Sequence, residues 1–349
     1  MGVQLGDLVE AKSISIEDLS GKKIAFDGHN VLYQFISIIR GRLGEPLRDG
    51  SGRVTSHLSG LIYRNANLVE TGIKIVYVFD GKPHKFKTET IESRVEARRE
   101  AQIKYEAALK EGKISEAKTY AQQAVAATTS MVDDAKKLLT LMGIPWIQAP
   151  SEGEAQSAHM AQKGDVWATA SQDYDSLLFG TPRLIRNLSI TGRRKLPRKS
   201  LYIKIEPERV DLDSTLSRLG ISRELLVDLG ILIGTDYNPE GVKGVGPKTA
   251  LKLLKQYGRL EEVLSHLDNV KMPHPIDEIR EIFLKPEVTN NYKLEWRPPD
   301  EKGIIDFLCS EHDFDKDRVK KAVEKIALGF DKSREKTTLE QWFNPESSE

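Results

Sequence analysis

Four short apolar runs in this chain each lead straight into carboxylates, and that recurrence constrains the fold more than any other feature. KKIAFD (22–27) ends on Asp27 and IKIVYVFD (73–80) ends on Asp80. PWIQA (145–149) leads into Glu152 and Glu154, and DVWATAS (165–171) into Asp173 and Asp175. The runs are β-branched or aromatic, and several lack alternation, as strands buried on both faces do. SLYIKI (200–205) reads as a further strand, and helical stretches such as 30–43 and 56–72 lie between the runs. Strand–helix–strand alternation predicts an α/β fold: a mostly parallel, twisted sheet with helices on both faces. The C-terminal strand ends of such a sheet open on one crevice. Six carboxylates then converge, and Asp236, after the apolar helix 224–235, can join them. Ser151 reads as an N-cap, which puts Glu152 and Glu154 in the first turn of a helix.

Crowded carboxylates repel one another and are costly to bury unpaired. Divalent cations relieve that cost. An all-oxygen set without His or Cys suits Mg²⁺ or Mn²⁺, and seven carboxylates suit two ions about 4 Å apart, the arrangement that hydrolyses phosphodiesters. The bland alternative is a set of helix-terminal glutamates favoured by the macrodipole, plus ordinary loop aspartates. Other chemistries are excluded more firmly. A single cysteine, Cys309, leaves no disulfide framework and no Cys-based zinc site, and the seven histidines form no H-E-x-x-H pattern. No apolar run approaches the roughly 18 residues of a membrane span, and the N-terminus lacks a signal-peptide core, so an intracellular protein is expected.

At 349 residues the chain exceeds what one core usually supports, so appended parts are expected. We divide it into an N-terminal region (1–130), an internal region (131–330) and a polar, flexible tail (331–349). Residues 82–130 carry no strand signal and read as two polar helices, 89–111 and 115–130, parted near Gly112. A connection of that length is usually functional. Lys87 and Arg94, seven apart, share one face of it and can look down on the carboxylates, unless they simply form a solvated face. Tyr33, six residues after Asp27, can stack on a base or belong to the core.

Lys+Arg and Asp+Glu balance at 52 each, so no simple polybasic binder is indicated, yet the cations cluster. Residues 183–200 hold Arg183, Arg186, Arg193, Arg194, Lys195, Arg198 and Lys199 with no acid; two short strands around Gly192 would form a basic hairpin that contacts phosphates or merely blunts an edge. Residues 241–259 are acid-free as well. Pro247 breaks the G-K-[ST] of a P-loop there, so 222–259 reads as a helix–hairpin–helix element or an ordinary glycine-rich turn. In the first case Gly244 and Gly246 allow close backbone approach, and the next helix presents its amides to a phosphate.

Together, AFDGHNVLYQF, VYVFDGKPHKFK, APSEGEAQ, ASQDYDSLLFG and GTDYNPEGVKGVGPKTA closely resemble the structure-specific flap endonucleases of the XPG nuclease superfamily, over essentially the whole chain. The resemblance implies a PIN-like core that cuts 5′ flaps with two Mg²⁺, Mn²⁺ substituting, and that has 5′–3′ exonuclease activity in replication and repair. It implies that Asp27, Asp80, Glu152, Glu154, Asp173, Asp175 and Asp236 serve the metals. Lys87 and Arg94 become the phosphate-steering cations, Tyr33 the base-stacking residue, and 82–130 the helical arch. It also implies DNA contacts from Gly2, Arg193, Arg194, Lys195, Lys243, Gly244, Gly246, Lys248, Thr249 and Lys252, and a K⁺ near the hairpin. A short linker and the lack of a basic tail point to an archaeal source, and a monomer is expected. In the tail, Leu339, Trp342 and Phe343 sit at i, i+3 and i+4, so one helical turn gathers them into an apolar plug. The segment 336–343 resembles a sliding-clamp (PCNA) box, with Lys336 where the box usually has Gln. The rival readings are a PIN-type RNA nuclease and a clamp-tethered, non-catalytic DNA adaptor.

Overall fold

The computed structural model describes residues 2–41, 44–190, 192–195, 202–267, 270 and 272–343, with the backbone alone described at 192–195, 202–204 and 333–343. Nine strands are present among them: β1 (Lys12–Ser13), β2 (Lys23–Asp27), β3 (Lys74–Phe79), β4 (Trp146–Gln148), β5 (Ala168–Ala170), β6 (Arg183–Arg186), β7 (Gly192–Lys195), β8 (Tyr202–Ile205) and β9 (Glu208–Asp211). Seven form one sheet in the order β1-β9-β6-β5-β2-β3-β4, and β7 pairs only with β8. β2, β3, β4, β5 and β6 run parallel, while β9 and β1 add an antiparallel edge. All four acid-bearing loops therefore leave the same end of the sheet.

Both faces of the central strands are buried, which explains why their sequences lack alternation. Along β3, Ile75, Tyr77 and Phe79 enter the core beneath helices Gly28–Ile38, Ser56–Glu70 and Thr129–Leu141, and Val76 and Val78 enter the opposite one. Phe26, Tyr77 and Phe79 stack in series at 5.5 and 6.3 Å. A separate core surrounds the helix Arg223–Ile233 and takes in Val3, Leu5 and Leu8 of the N-terminal segment. That packing fixes the chain start against the crevice.

Several expectations need correction. The 200–205 strand is described as β8 (Tyr202–Ile205), outside the main sheet, and Gly192 opens β7, which pairs antiparallel with β8, instead of standing between two strands; residues 196–201 lie outside the described residues. Arg183 and Arg186 belong to β6 of the main sheet, since Leu184 and Ile185 carry buried side chains there. The second arch helix is Ile114–Gln123, and the helix after it starts only at Thr129, where Thr128 caps it through Met131 N. The arch's first helix is Thr88–Lys110, and Gly112, at φ 71°, makes the turn between the two. Burial of small Ala101, Ala108, Ala117 and Ala121 lets them pack closely. The tail is not irregular from 331: a helix runs Lys316–Phe343, because Lys, Glu, Leu and Gln favour helix there and no proline interrupts it. Residues 344–349 lie outside the described residues.

A strap at 285–299 was not foreseen, since it has no periodicity. Its Trp296 donates Nε1–H to the Ile75 carbonyl at 2.7 Å, beyond the stretch of β3 that β4 covers, so a side chain serves an edge with no neighbouring strand.

Candidate active site

The crevice is built from strand ends and helix starts. Asp27 closes β2 and caps the helix Gly28–Ile38, its Oδ1 accepting from Asn30 N at 3.0 Å. Asp80 follows β3, and its Oδ1 accepts from Gly153 N at 2.7 Å, at the start of the helix Gly153–Gln162. Glu152 occupies the N-cap position of that helix, so Ser151 is not the cap, and only Glu154 lies in the first turn. Glu154 is partly buried and accepts from Ser171 Oγ at 3.0 Å and Ser176 Oγ at 3.4 Å. Asp173 and Asp175 flank Tyr174 after β5. Gly2 N donates to Asp173 Oδ1 at 3.2 Å and Val3 N to Asp175 Oδ1 at 2.6 Å. A Cβ on Gly2 would sit 2.7 Å from Asp173 Cβ and 2.8 Å from Asp175 Oδ2, so only glycine lets the chain start pass between the two acids. The Gly2 donor, read as a DNA contact, is here committed to a carboxylate.

Asp236 comes from the far side, after the helix Arg223–Ile233. Arg94 Nη2 meets its Oδ1 at 2.5 Å and Lys87 Nζ its Oδ2 at 3.3 Å, while Lys87 also lies 2.6 Å from Glu152 Oε2. Lys87 is the N-cap residue of Thr88–Lys110 rather than part of its face, yet it reaches the same acid as Arg94. Thr90 Oγ donates to the Asp236 carbonyl at 2.6 Å and ties the arch base to that loop. All seven predicted acids and both predicted cations thus share one crevice.

The electrostatics follow from crowding. Burial, then Asp80 and Asp173, push the Asp27 carboxyl up to about 8. Burial and Asp236 push Asp175 up to about 7. Burial, then Asp175, Asp27 and Asp173, hold Glu154 well above its ordinary range, and burial raises Glu152 against the pull of Lys87. Burial alone would lower the Lys87 ammonium, but Glu152, Asp236 and Asp80 reverse that and keep it charged. These acids therefore hold protons in the folded chain that the unfolded chain releases from about pH 4 upward. Stability of the metal-free protein falls as pH rises from about 4 to about 8. Melts at pH 6 and pH 9 with chelator are expected to differ by several degrees, the alkaline one lower, and excess Mg²⁺ should remove most of the difference. Equal melting temperatures in chelator would show that the acids are not crowded in solution.

The donor set fits hard divalent cations: it is all oxygen, partly buried and mutually repelling. Among the described residues no three of these side chains already surround a single ion-sized point, and Lys87 and Arg94 hold Glu152 and Asp236 toward themselves.

The remaining predicted residues lie around this centre. Tyr33 is exposed on the helix Gly28–Ile38. Lys243, Gly244, Gly246, Lys248, Thr249 and Lys252 are exposed at and after the hairpin. Gly246 is the N-cap of Pro247–Tyr257, Pro247 takes its first turn, and Gly244 has φ 82°. Arg193, Arg194 and Lys195 are on β7, and their side chains lie outside the described residues, as do those of Leu339, Trp342 and Phe343.

Sequence reasoning missed the groups that hold the acids. Ser171, Ser176 and Asn30 lie inside the quoted motifs but were given no role, and Arg186 lies outside them. Arg186 was counted with the basic hairpin; it donates to the Gln172 carbonyl at 3.2 Å and Tyr174 Oη at 2.5 Å, clamping the loop that carries Asp173 and Asp175. Its position in a strand beside β5 was the one usable signal.

Residues 1–101 match the XPG N-terminal domain and residues 143–236 the XPG I-region. The chain is 56% identical over 345 residues to flap endonuclease 1 of Pyrococcus horikoshii, across 98% of each chain. It is 55% identical to flap endonuclease 1 of Archaeoglobus fulgidus, across 98% of this chain and 100% of that one. Among solved structures, flap endonuclease-1 from Methanococcus jannaschii superposes with a TM-score of 0.76 at 46% identity, covering 95% of this chain and 100% of that one. The catalytic core of Rad2 in complex with DNA substrate gives 0.70 at 23% identity, covering 93% and 100%, a likeness of fold.

Proposed function

This chain belongs to the flap endonuclease family of XPG nucleases, and from that premise we propose how its acidic crevice works. It is a structure-specific flap nuclease acting on phosphodiesters, and nucleases of this family are metal-dependent. The single observation that carries the mechanism is the meeting of seven carboxylates with Lys87 and Arg94. Asp27, Asp80, Glu152, Glu154, Asp173, Asp175 and Asp236 would hold two Mg²⁺, or Mn²⁺ in their place. Held there, the ions would supply a water of lowered pKa and would screen the charge that develops on the departing 3′ oxygen.

The chain's own groups do the rest. Lys87 and Arg94 exchange carboxylate partners for the scissile phosphate and balance its growing charge. Tyr33 stacks on the base next to the cut. The 82–130 arch holds the 5′ strand, and the N-terminus of Pro247–Tyr257 receives a duplex phosphate without reading sequence. Lys243, Lys248 and Lys252, with Arg193, Arg194 and Lys195 on the hairpin, add phosphate contacts. The 222–259 element offers backbone carbonyls for K⁺. The regions 1–130 and 131–330 act as two nuclease halves around one centre. Products carry a 5′ phosphate and a 3′ hydroxyl. An end-labelled 5′ flap should be cut at the junction with Mg²⁺ and stay intact with chelator; faster cutting of single-stranded RNA, or binding without cutting, would overturn this reading.

Leu339, Trp342 and Phe343 are proposed to dock on a sliding clamp, tethering a monomeric enzyme to replication and repair sites inside the cell. No helix among the described residues is long and apolar enough to cross a membrane. Replacing either Trp342 or Phe343 by alanine should weaken clamp binding about 30-fold, since a buried aromatic anchor is worth about 2 kcal/mol. Surface plasmon resonance on immobilised clamp reads this, with flap cutting in the absence of clamp unchanged. Undiminished clamp binding would remove the tail from the interface.

A further inference from the structure

A directed chain of side-chain hydrogen bonds ends on Asp173. Ser189 Oγ donates to Gln34 Oε1, Gln34 Nε2 donates to Asn30 Oδ1, and Asn30 Nδ2 donates to Asp173 Oδ2 at 2.9 Å. The direction is fixed from its last link. An ionised carboxylate only accepts, so Asn30 must turn its NH₂ toward Asp173 and its oxygen toward Gln34. Gln34 must then donate through nitrogen, which leaves its oxygen to receive the Ser189 hydroxyl. Flipping Asn30 would break both of its bonds, and flipping Gln34 would set its oxygen against the Asn30 oxygen.

Both ends of the chain are anchored. Ser189 is buried in the short turn Leu188–Ile190, just ahead of β7, and Asn187 enters that turn at φ 62°. Asn30 N is itself tied to Asp27 Oδ1 at 3.0 Å, so one residue contacts two acids of the crevice. With Gly2 N on Oδ1 at 3.2 Å and Asn30 on Oδ2, the Asp173 carboxylate plane is set from two sides.

We propose that Asn30, Gln34 and Ser189 are positioning residues, which orient Asp173 for the divalent cation by a relay running from the root of the basic hairpin. The inference rests on the reading of Asp173 as a metal ligand. Groups that orient a ligand in this way are typically worth 10- to 100-fold in metal affinity.

The test is Mn²⁺ binding to the DNA-free protein, read by electron paramagnetic resonance and calorimetry, beside the Mg²⁺ dependence of single-turnover cutting. Asn30→Leu is expected to weaken Mn²⁺ about 10- to 100-fold. Its half-saturating Mg²⁺ rises in step, while DNA affinity and the rate at saturating Mg²⁺ change little. Gln34→Met and Ser189→Ala change no atom that touches Asp173; they should shift Mn²⁺ affinity the same way by smaller factors, and they carry the test if Asn30→Leu fails to fold. Asn30→Leu combined with Gln34→Met should bind no more weakly than Asn30→Leu alone, since Gln34 acts through Asn30. A merely structural role would instead give multiplying effects and a fall in rate at every Mg²⁺ concentration. Asp173→Asn separates the two failures. If it binds Mn²⁺ like the parent, the metal-ligand reading falls. If it loses Mn²⁺ while Asn30→Leu and Gln34→Met keep it, the relay alone is overturned.

Discussion

Asp175→Asn is expected to abolish flap cutting while making the metal-free protein more stable. The two effects have one cause. Asp175 is buried, and burial with Asp236 nearby pushes its carboxyl up to about 7, so above that pH its charge opposes folding. Asparagine has nearly the same shape, keeps an oxygen to accept the Val3 amide, and removes the charge. Without cations, relief of like-charge repulsion should raise the melting temperature, more at pH 9 than at pH 6. With cations, the same change removes a ligand charge, and the rate should drop by about 10³-fold or more, the upper range for deleting one group that stabilises transition-state charge. Single-turnover cutting and melts with and without Mg²⁺ measure both. A fully active variant would remove Asp175 from the chemistry; a less stable metal-free variant would contradict the crowding.

Lys87→Met should move stability the other way while also slowing the chemistry. Lys87 pairs with Glu152 and Asp236, all three largely withdrawn from solvent. Removing the ammonium that touches both takes the Lys87 partner from Glu152 and leaves Asp236 to Arg94, at about 3 kcal/mol by the precedent of broken buried pairs. Added Mg²⁺ should recover much of that loss, because a divalent ion can replace the missing charge between the acids. The rate should fall about 10²- to 10³-fold even at saturating Mg²⁺. DNA affinity should change only a few-fold, since one phosphate contact of many is lost. Lys87→Arg keeps the charge but not the compact ammonium that fits between two carboxylates, so only partial rescue is expected. An unchanged single-turnover rate in Lys87→Met would place this cation outside the reaction.

These predictions concern residues that the sequence singled out, which marks the boundary of what it could reveal. β2, β3 and β5 were legible because strands buried on both faces must be apolar in nearly every position, a signal that needs only neighbouring residues, whereas β4, an edge strand with Ile147 alone buried, was legible from its aromatic and β-branched residues. Their parallel order follows from the helices between them, and parallel order puts the acids at one end. Composition, Asp and Glu repeated after strands, and the absence of a cysteine or histidine motif together pointed to metal-dependent chemistry with oxygen ligands.

What remained hidden depends on contacts between residues far apart in the chain. The antiparallel edge of β9 and β1, the strap at 285–299 and the separate β7–β8 hairpin are set by which edges are free, and no local pattern records a free edge. Seating Gly2 between Asp173 and Asp175 requires the packing of Val3, Leu5 and Leu8 into a core made by residues two hundred positions away. Asn30 and Arg186 look like any polar residue on a helix and any cation on a strand until the fold brings the DYD loop against them. Local chemistry pointed to where charge would gather, because charge and hydrophobicity are properties of single residues. Only the folded chain decided how those atoms are aimed, because orientation is a property of pairs.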